Sequence, residues 1–322
     1  MLAILLVGGL GLSLFQLGVR GPDLEGRPLA VPDRPPGSME SLRAARSSAR
    51  LLRDADQQRA ILQAMVIFSQ DNDDRYPMPS RLDRNGSTID GPDSAKDTTG
   101  NVFAVFIQMG AITPEMLVSP VDRNESISSY EAYQVVEPEA GADPIRALWD
   151  PAIRADFTAE GGGHISYAHH LPRGQRWMNT FSFREAVLAN RGPAIGEIEL
   201  RENGQTVTRF ADPGSLSLNV FREHETVVPS WTGNTGRNDG AVFLSPKLYG
   251  HRAAVSAEMA EPTQPRVGPD GEVREYADVL FADESPHGDA PRAVTERVEG
   301  NHWLGIFVES GETRDDFRAI HD

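Results

Sequence analysis

The sequence predicts an α+β protein: one long helical spine packed on an antiparallel β-sheet, with an enlarged C-terminal β region. Two observations carry this. Residues 39–77 hold a single extended helical pattern, and after Gly161 the chain breaks into short β-type runs divided by Gly, Asn and Pro. One helix followed by many short strands points to helices segregated on an antiparallel sheet.

The first 38 residues stand apart. Leu2 to Val19 contains no charge, and as a helix it would reach roughly 27 Å, close to the thickness of a hydrocarbon core. It reads as an uncleaved transmembrane anchor; a cleaved signal peptide and a buried core helix are the competing readings. No basic residue precedes Leu2 and no small-x-small cleavage site is evident, so the anchor fits better. Residues 20–38 form a linker, with Pro22, Pro28, Pro32, Pro35 and Pro36 favouring extended backbone. The expected division is anchor 1–19, linker 20–38, spine and head 39–250, and a C-terminal extension of the head at 251–322.

Within the spine, Leu42, Ala45, Ala49, Leu52, Ile61, Leu62, Met65 and Phe68 recur at spacings of three and four, which places them on one helical face. Ser38 or Ser41 can cap its start. The run Asp71-Asn72-Asp73-Asp74 with Tyr76-Pro77 ends it, because Asn and Asp compete for the backbone and proline disfavours helix before it. Ser80 to Asn101 is polar and reads as a poorly ordered surface loop. Val102 to Met109 predicts a short apolar helix stopped by Gly110, followed by a turn with Pro114 at its first position.

Short helical or irregular pieces are expected from Pro120 to Asp156. His164 to His169 reads as a strand. Ile195 to Phe210 is expected as a hairpin turning at Asn203-Gly204, where both residues accept positive φ. Further strands are expected at Gly240–Leu244, Tyr276–Phe281 and His302–Val308. Pro262 to Gly271 is expected as a loop, and Thr313 to Ile320 as an acidic turn or short helix.

Composition bounds function. The net charge is −16 over 322 residues, so a nucleic-acid partner is excluded by phosphate repulsion. The chain has no cysteine, which removes disulfides, thiolate metal sites and cysteine nucleophiles.

Several stretches resemble the pseudopilin-like proteins of planctomycete-type bacteria. They are Gln63-Ala64-Met65 through Asp71-Asn72-Asp73-Asp74-Arg75-Tyr76-Pro77, then Thr99 to Phe103, Pro114 to Pro120 and Ile165 to Ala168. Asn190 to Pro193, Trp231 to Asn234, Asn238-Asp239-Gly240 and Leu304 to Phe307 come after them in order. The resemblance covers roughly residues 55–322. It implies a pilin-like head, membrane attachment, a location in the periplasm or cell exterior, and other pilin-like subunits or envelope proteins as partners. Departures accompany it: Leu2 to Val19 has no acidic residue, where prepilins carry a glutamate, and the proline linker interrupts the continuous helix of a filament subunit.

Motifs with chemical potential are weighed residue by residue. Asp71, Asp73 and Asp74 invite calcium, but Arg75 and Tyr76 occupy positions where an EF-hand needs a ligand and a glycine; a plain helix stop is favoured. His164, His169 and His170 are the histidine cluster. On a strand His164 and His169 face opposite ways, and His224 and Asp212 add no recognised metal spacing. Ser166 and Ser215 lack a nucleophile elbow. Gly161-Gly162-Gly163 lacks the lysine and frame of a phosphate loop. Trp231 to Gly236 with Asn238-Asp239-Gly240 reads as turn chemistry around a core tryptophan, with a calcium turn as the lesser alternative.

The expectation is therefore a structural, non-enzymatic protein of pseudopilin type, as in type II secretion, with no catalytic, cofactor or metal residues, no cofactor and no small-molecule substrate. A tethered cell-surface binding module that forms no filaments is the second reading, and a histidine–carboxylate metal hydrolase the third.

Overall fold

The computed structural model describes residues 39–174, 176–200, 206–217, 230–245, 248, 264–267, 273–276, 278–283 and 302–322. The anchor and linker readings, the Asn203-Gly204 turn and His224 fall outside these residues. The chain divides into two units, residues 1–45 and 46–322. The sheet and the core belong to the second, and α1 begins in the first.

Among the described residues three α-helices form: α1 (Met39–Gln70), α2 (Pro79–Leu82) and α3 (Thr99–Gln108). Ten strands accompany them: β1 (Tyr167–His170), β2 (Ala186–Asn190), β3 (Ile195–Leu200), β4 (Thr206–Phe210), β5 (Gly233–Arg237), β6 (Val242–Ser245), β7 (Gln264–Val267), β8 (Val273–Tyr276), β9 (Leu304–Glu309) and β10 (Arg318–Ile320). Six of them make one antiparallel sheet in the order β10-β9-β1-β2-β5-β6, while β3-β4 and β7-β8 are separate two-stranded ribbons. The class is α+β with an antiparallel sheet.

From Ala55 onward α1 contributes to the core through Ile61, Leu62, Met65 and Phe68, all buried. The same spacing nearer its start is not covered: Leu42 and Leu52 are 50% and 66% exposed. The helix closes with Asp73 and Asp74 in the left-handed region, at φ 54° and 58°, a conformation that Asp tolerates better than most residues.

α3 begins on Thr98, whose hydroxyl accepts from the Asn101 N–H, as an N-cap should. Residues Thr99 to Ile107 are all buried. Thr99 Oγ1 accepts from the Phe307 N–H at 2.7 Å, which ties α3 to β9.

Several expectations are corrected. Ser80 to Asn101 is ordered: it contains α2 and wraps around Lys96, which is 1% exposed. Its ammonium donates to the Asp83 carbonyl and to Asp93 Oδ1 at 2.5 and 2.8 Å, and lies 3.6 Å from Asp83 Oδ2. Asp83 in turn accepts from the N–H groups of Ser87, Thr88 and Ile89. Buried polar groups with this many partners can hold a polar loop as firmly as an apolar core does.

Second, Trp231 to Gly236 is not a turn, because Gly233–Arg237 is the fully buried strand β5. Its glycines serve close approach: a Cβ on Gly236 would stand 2.8 Å from Leu62 of α1. Third, Pro262–Gly271 includes β7, and Tyr276–Phe281 leaves its strand at Tyr276. The transmembrane reading is also corrected for the described residues. Among the described residues no helix is long and apolar enough to cross a membrane.

Candidate functional site

The most densely connected polar site forms where α1 meets the sheet. Asp54 is completely buried. Its Oδ1 accepts from Tyr167 OH at 3.0 Å, from Asn190 Nδ2 at 2.9 Å and from the Ser119 hydroxyl. Its Oδ2 accepts from Asn234 Nδ2 at 2.6 Å and from Gln58 Nε2 at 3.4 Å. The donors come from α1, the loop after Leu117, β1, β2 and β5. Register explains the convergence: Tyr167 pairs with Asn190 across β1–β2, and Asn190 Oδ1 accepts from the Asn234 N–H at 2.7 Å.

Burial pushes the Asp54 carboxyl above the ordinary carboxylate value, and the hydrogen bonds from Ser119, Asn234, Asn190 and Tyr167 pull it only part of the way back. Burial, reinforced by the Asp54 charge, holds the Tyr167 phenol well above its usual range. Gln57 completes the clamp, its Nε2 reaching the carbonyls of Glu115 and Val118.

Beside the clamp lies a small cleft of about 20 Å³ lined by Ser119, Ser166, Asn190, Arg191, Trp231 and Thr232, among others. That volume admits one water. Arg191 at its wall grips Asp122 with two hydrogen bonds of 2.9 Å and meets Asp322 Oδ2 at 2.8 Å. Ser166 Oγ is buried without a hydrogen-bond partner. None of the three serines lining the cleft, Ser119, Ser166 and Ser217, has an imidazole within the set of side chains that line it, and nucleophilic serine chemistry needs an adjacent base. The cleft joins and orients elements; it offers no activated group.

A second buried polar group sits elsewhere in the unit. His302 Nδ1 stands 2.9 Å from Asp278 Oδ2, and its Nε2 is 3.3 Å from Arg176 Nη1. A carboxylate accepts and a guanidinium donates, so His302 carries its proton on Nδ1. The His170 ring lies 5.7 Å from that of His302. Burial, with the Arg176 guanidinium nearby, keeps His170 far below the usual histidine value.

The structure scatters the other sequence candidates. His164 bonds the Ser128 carbonyl at 3.0 Å, apart from His169. His169 is boxed by Phe103, Trp177 and Phe307. Asp212 is exposed and accepts from the Gly214 N–H, while Ser215 pairs with Ser217. Gly162 serves a close backbone approach: a Cβ there would stand 2.1 Å from the Ser126 carbonyl oxygen. Asn238-Asp239-Gly240 is the β5–β6 turn, with Gly240 at φ 85°. Among the described residues no three His, Asp or Glu side chains are grouped to hold a metal ion.

Sequence reasoning missed Asp54. The signal was available, because Asp54, Gln58, Ile61, Met65 and Phe68 share one helical face at spacings of three and four. A carboxylate on a face otherwise read as apolar was the sign of a buried polar partner.

No protein family, curated protein or solved structure matches the chain. Nothing in those comparisons supports a type II secretion assignment.

Proposed function

We propose that this chain is a non-catalytic structural subunit of pseudopilin type, with a helical spine, a pilin-like body held outside the cytoplasm, and other subunits as partners. The carrying observation is the division of α1. Its later half is locked into the body by Asp54, Ile61, Met65 and Phe68, whereas Leu42 and Leu52 remain exposed. An apolar stripe on an exposed helix is the feature that packs against a neighbouring helix.

The dense polar site fits this reading. Its donors are consumed in docking α1, leaving none for substrate chemistry. A surface binding module that forms no filaments is the second reading, favoured by the five prolines from Pro22 to Pro36, a composition that disfavours helix.

Because the chain has no cysteine, a single Ala49→Cys gives an unambiguous probe. The subunit reading expects disulfide-linked dimers on mild oxidation and fibrous or ring assemblies by negative-stain electron microscopy. A variant that shows neither cross-links through position 49 nor assemblies at high concentration overturns it and leaves the binding-module reading.

A further inference from the structure

The two edges of the six-stranded sheet are built differently. At β10, Arg318 bonds Glu309 at 2.6 Å and approaches Asp156, and the pairing with β9 slips between Arg318 and Ala319. Charge and a bulge are the usual protections of an edge. At β6 the residues are Val242-Phe243-Leu244-Ser245, without a charge, and among the described residues β6 pairs only with β5. Phe243 and Leu244 are 43% and 50% exposed.

Backbone parity fixes which groups this edge presents. The Arg237 N–H donates to the Ala241 carbonyl at 2.8 Å, and the register continues as Gly236↔Val242, Thr235↔Phe243 and Asn234↔Leu244. Hydrogen-bonded pairs alternate in an antiparallel ladder, so Phe243 bonds inward to Thr235. The N–H and C=O groups of Val242 and Leu244 point outward. Two outward-bonding residues placed symmetrically about Phe243 form a self-complementary edge.

We propose that β6 pairs with β6 of a second copy of this chain, antiparallel about a two-fold axis at Phe243. Val242 of each copy then exchanges hydrogen bonds with Leu244 of the other, and the two Phe243 side chains stand directly opposite. Charge permits this arrangement: Val242-Phe243-Leu244-Ser245 carries none, so the two strands meet without like-charge repulsion in a chain whose net charge of −16 otherwise opposes self-association. Four-residue strands bury less than the roughly 1,000 Å² of a stable interface, so the dimer forms in a concentration-dependent way. This inference does not depend on the pseudopilin reading, because the contact is distinct from the Ala49 face of α1.

The test is sedimentation velocity of the full chain across a concentration series, with wild type, Leu244→Pro and Leu244→Lys. Proline at 244 removes an outward N–H without breaking a β5–β6 bond; lysine keeps the N–H and adds like charge. Both are expected to weaken dimerisation at least tenfold with unchanged circular dichroism, and if the proline variant misfolds the lysine variant alone decides. Phe243→Cys is expected to form a disulfide dimer on mild oxidation, since directly opposed residues of a non-hydrogen-bonded pair have adjacent Cβ atoms; the exposed control Glu139→Cys is not. Leu244→Cys in dilute solution is expected to react readily with a maleimide. A protein that is monomeric throughout, a dimer indifferent to both Leu244 substitutions, absence of the disulfide in Phe243→Cys, or a thiol shielded from maleimide in monomeric Leu244→Cys would each overturn the proposal.

Discussion

The ring of His169 lies 5.7, 4.9 and 5.7 Å from those of Phe103, Trp177 and Phe307. Its Nδ1 donates to the His170 carbonyl at 2.6 Å, and burial, offset only in part by that bond, lowers its pKa from 6.5 to about 4. His321 is likewise lowered to about 4 by burial. The unfolded chain therefore binds more protons than the folded one between these values, and stability rises with pH across that window. The contribution is fully present above about pH 6.5 and is lost as pH falls toward 4. For His169 alone the full shift corresponds to about 3 kcal/mol. Urea unfolding at pH 7 and pH 5 is expected to show a clear loss at the lower pH, and His169→Leu should flatten the dependence. An unchanged slope in that variant would assign the acid sensitivity to other groups.

At the scale of elements, the seat of α1 on the sheet depends on an absent side chain. Gly236 lies on β5 where a Cβ would come within 2.8 Å of Leu62 Cδ1 and 3.4 Å of Leu188 Cβ. Gly236→Val must lift α1 from β5, which strains the Asn234–Asp54 bond two residues away; overpacking of this kind typically costs about 1–3 kcal/mol. The measurement is the denaturant midpoint, and a variant within about 0.5 kcal/mol of wild type would show that the helix can shift freely.

Element type was legible where periodicity spoke alone, as in Ile61, Met65 and Phe68 of α1, the buried run of α3 and the apolar stretch that became β9. It failed where tertiary packing decides. Glycine in Gly233-Asn234-Thr235-Gly236 resembles turn chemistry, yet here it lets a helix approach a strand. β2 was not anticipated, because Ala186–Asn190 is buried along its whole length and so lacks the alternation that marks a half-exposed strand. The clamp was illegible for a related reason: its donors lie up to 180 residues from Asp54, and no local spacing records them.

For the whole molecule, the balance of charge sets the response to salt. Among the described ion pairs several are sealed, including Arg191–Asp122 and Arg314–Asp283, and these are screened little. The excess of acidic groups giving −16 repels itself across the surface, and the Debye length shrinks from about 30 Å at 0.01 M to about 3 Å at 1 M. Raising sodium chloride over that range is expected to raise the thermal midpoint. A fall would mean that exposed pairs such as Arg59–Asp56 outweigh the repulsion.

The Asp54 clamp also carries a kinetic consequence. Its donors reside at positions 58, 119, 167, 190 and 234, so a nascent chain emerging from the ribosome exposes α1 long before Asn234 has been synthesised. Loops of this length close slowly. The first of the described helices to be made is thus the last to be fastened, and until then the Asp54 carboxylate keeps that face hydrated.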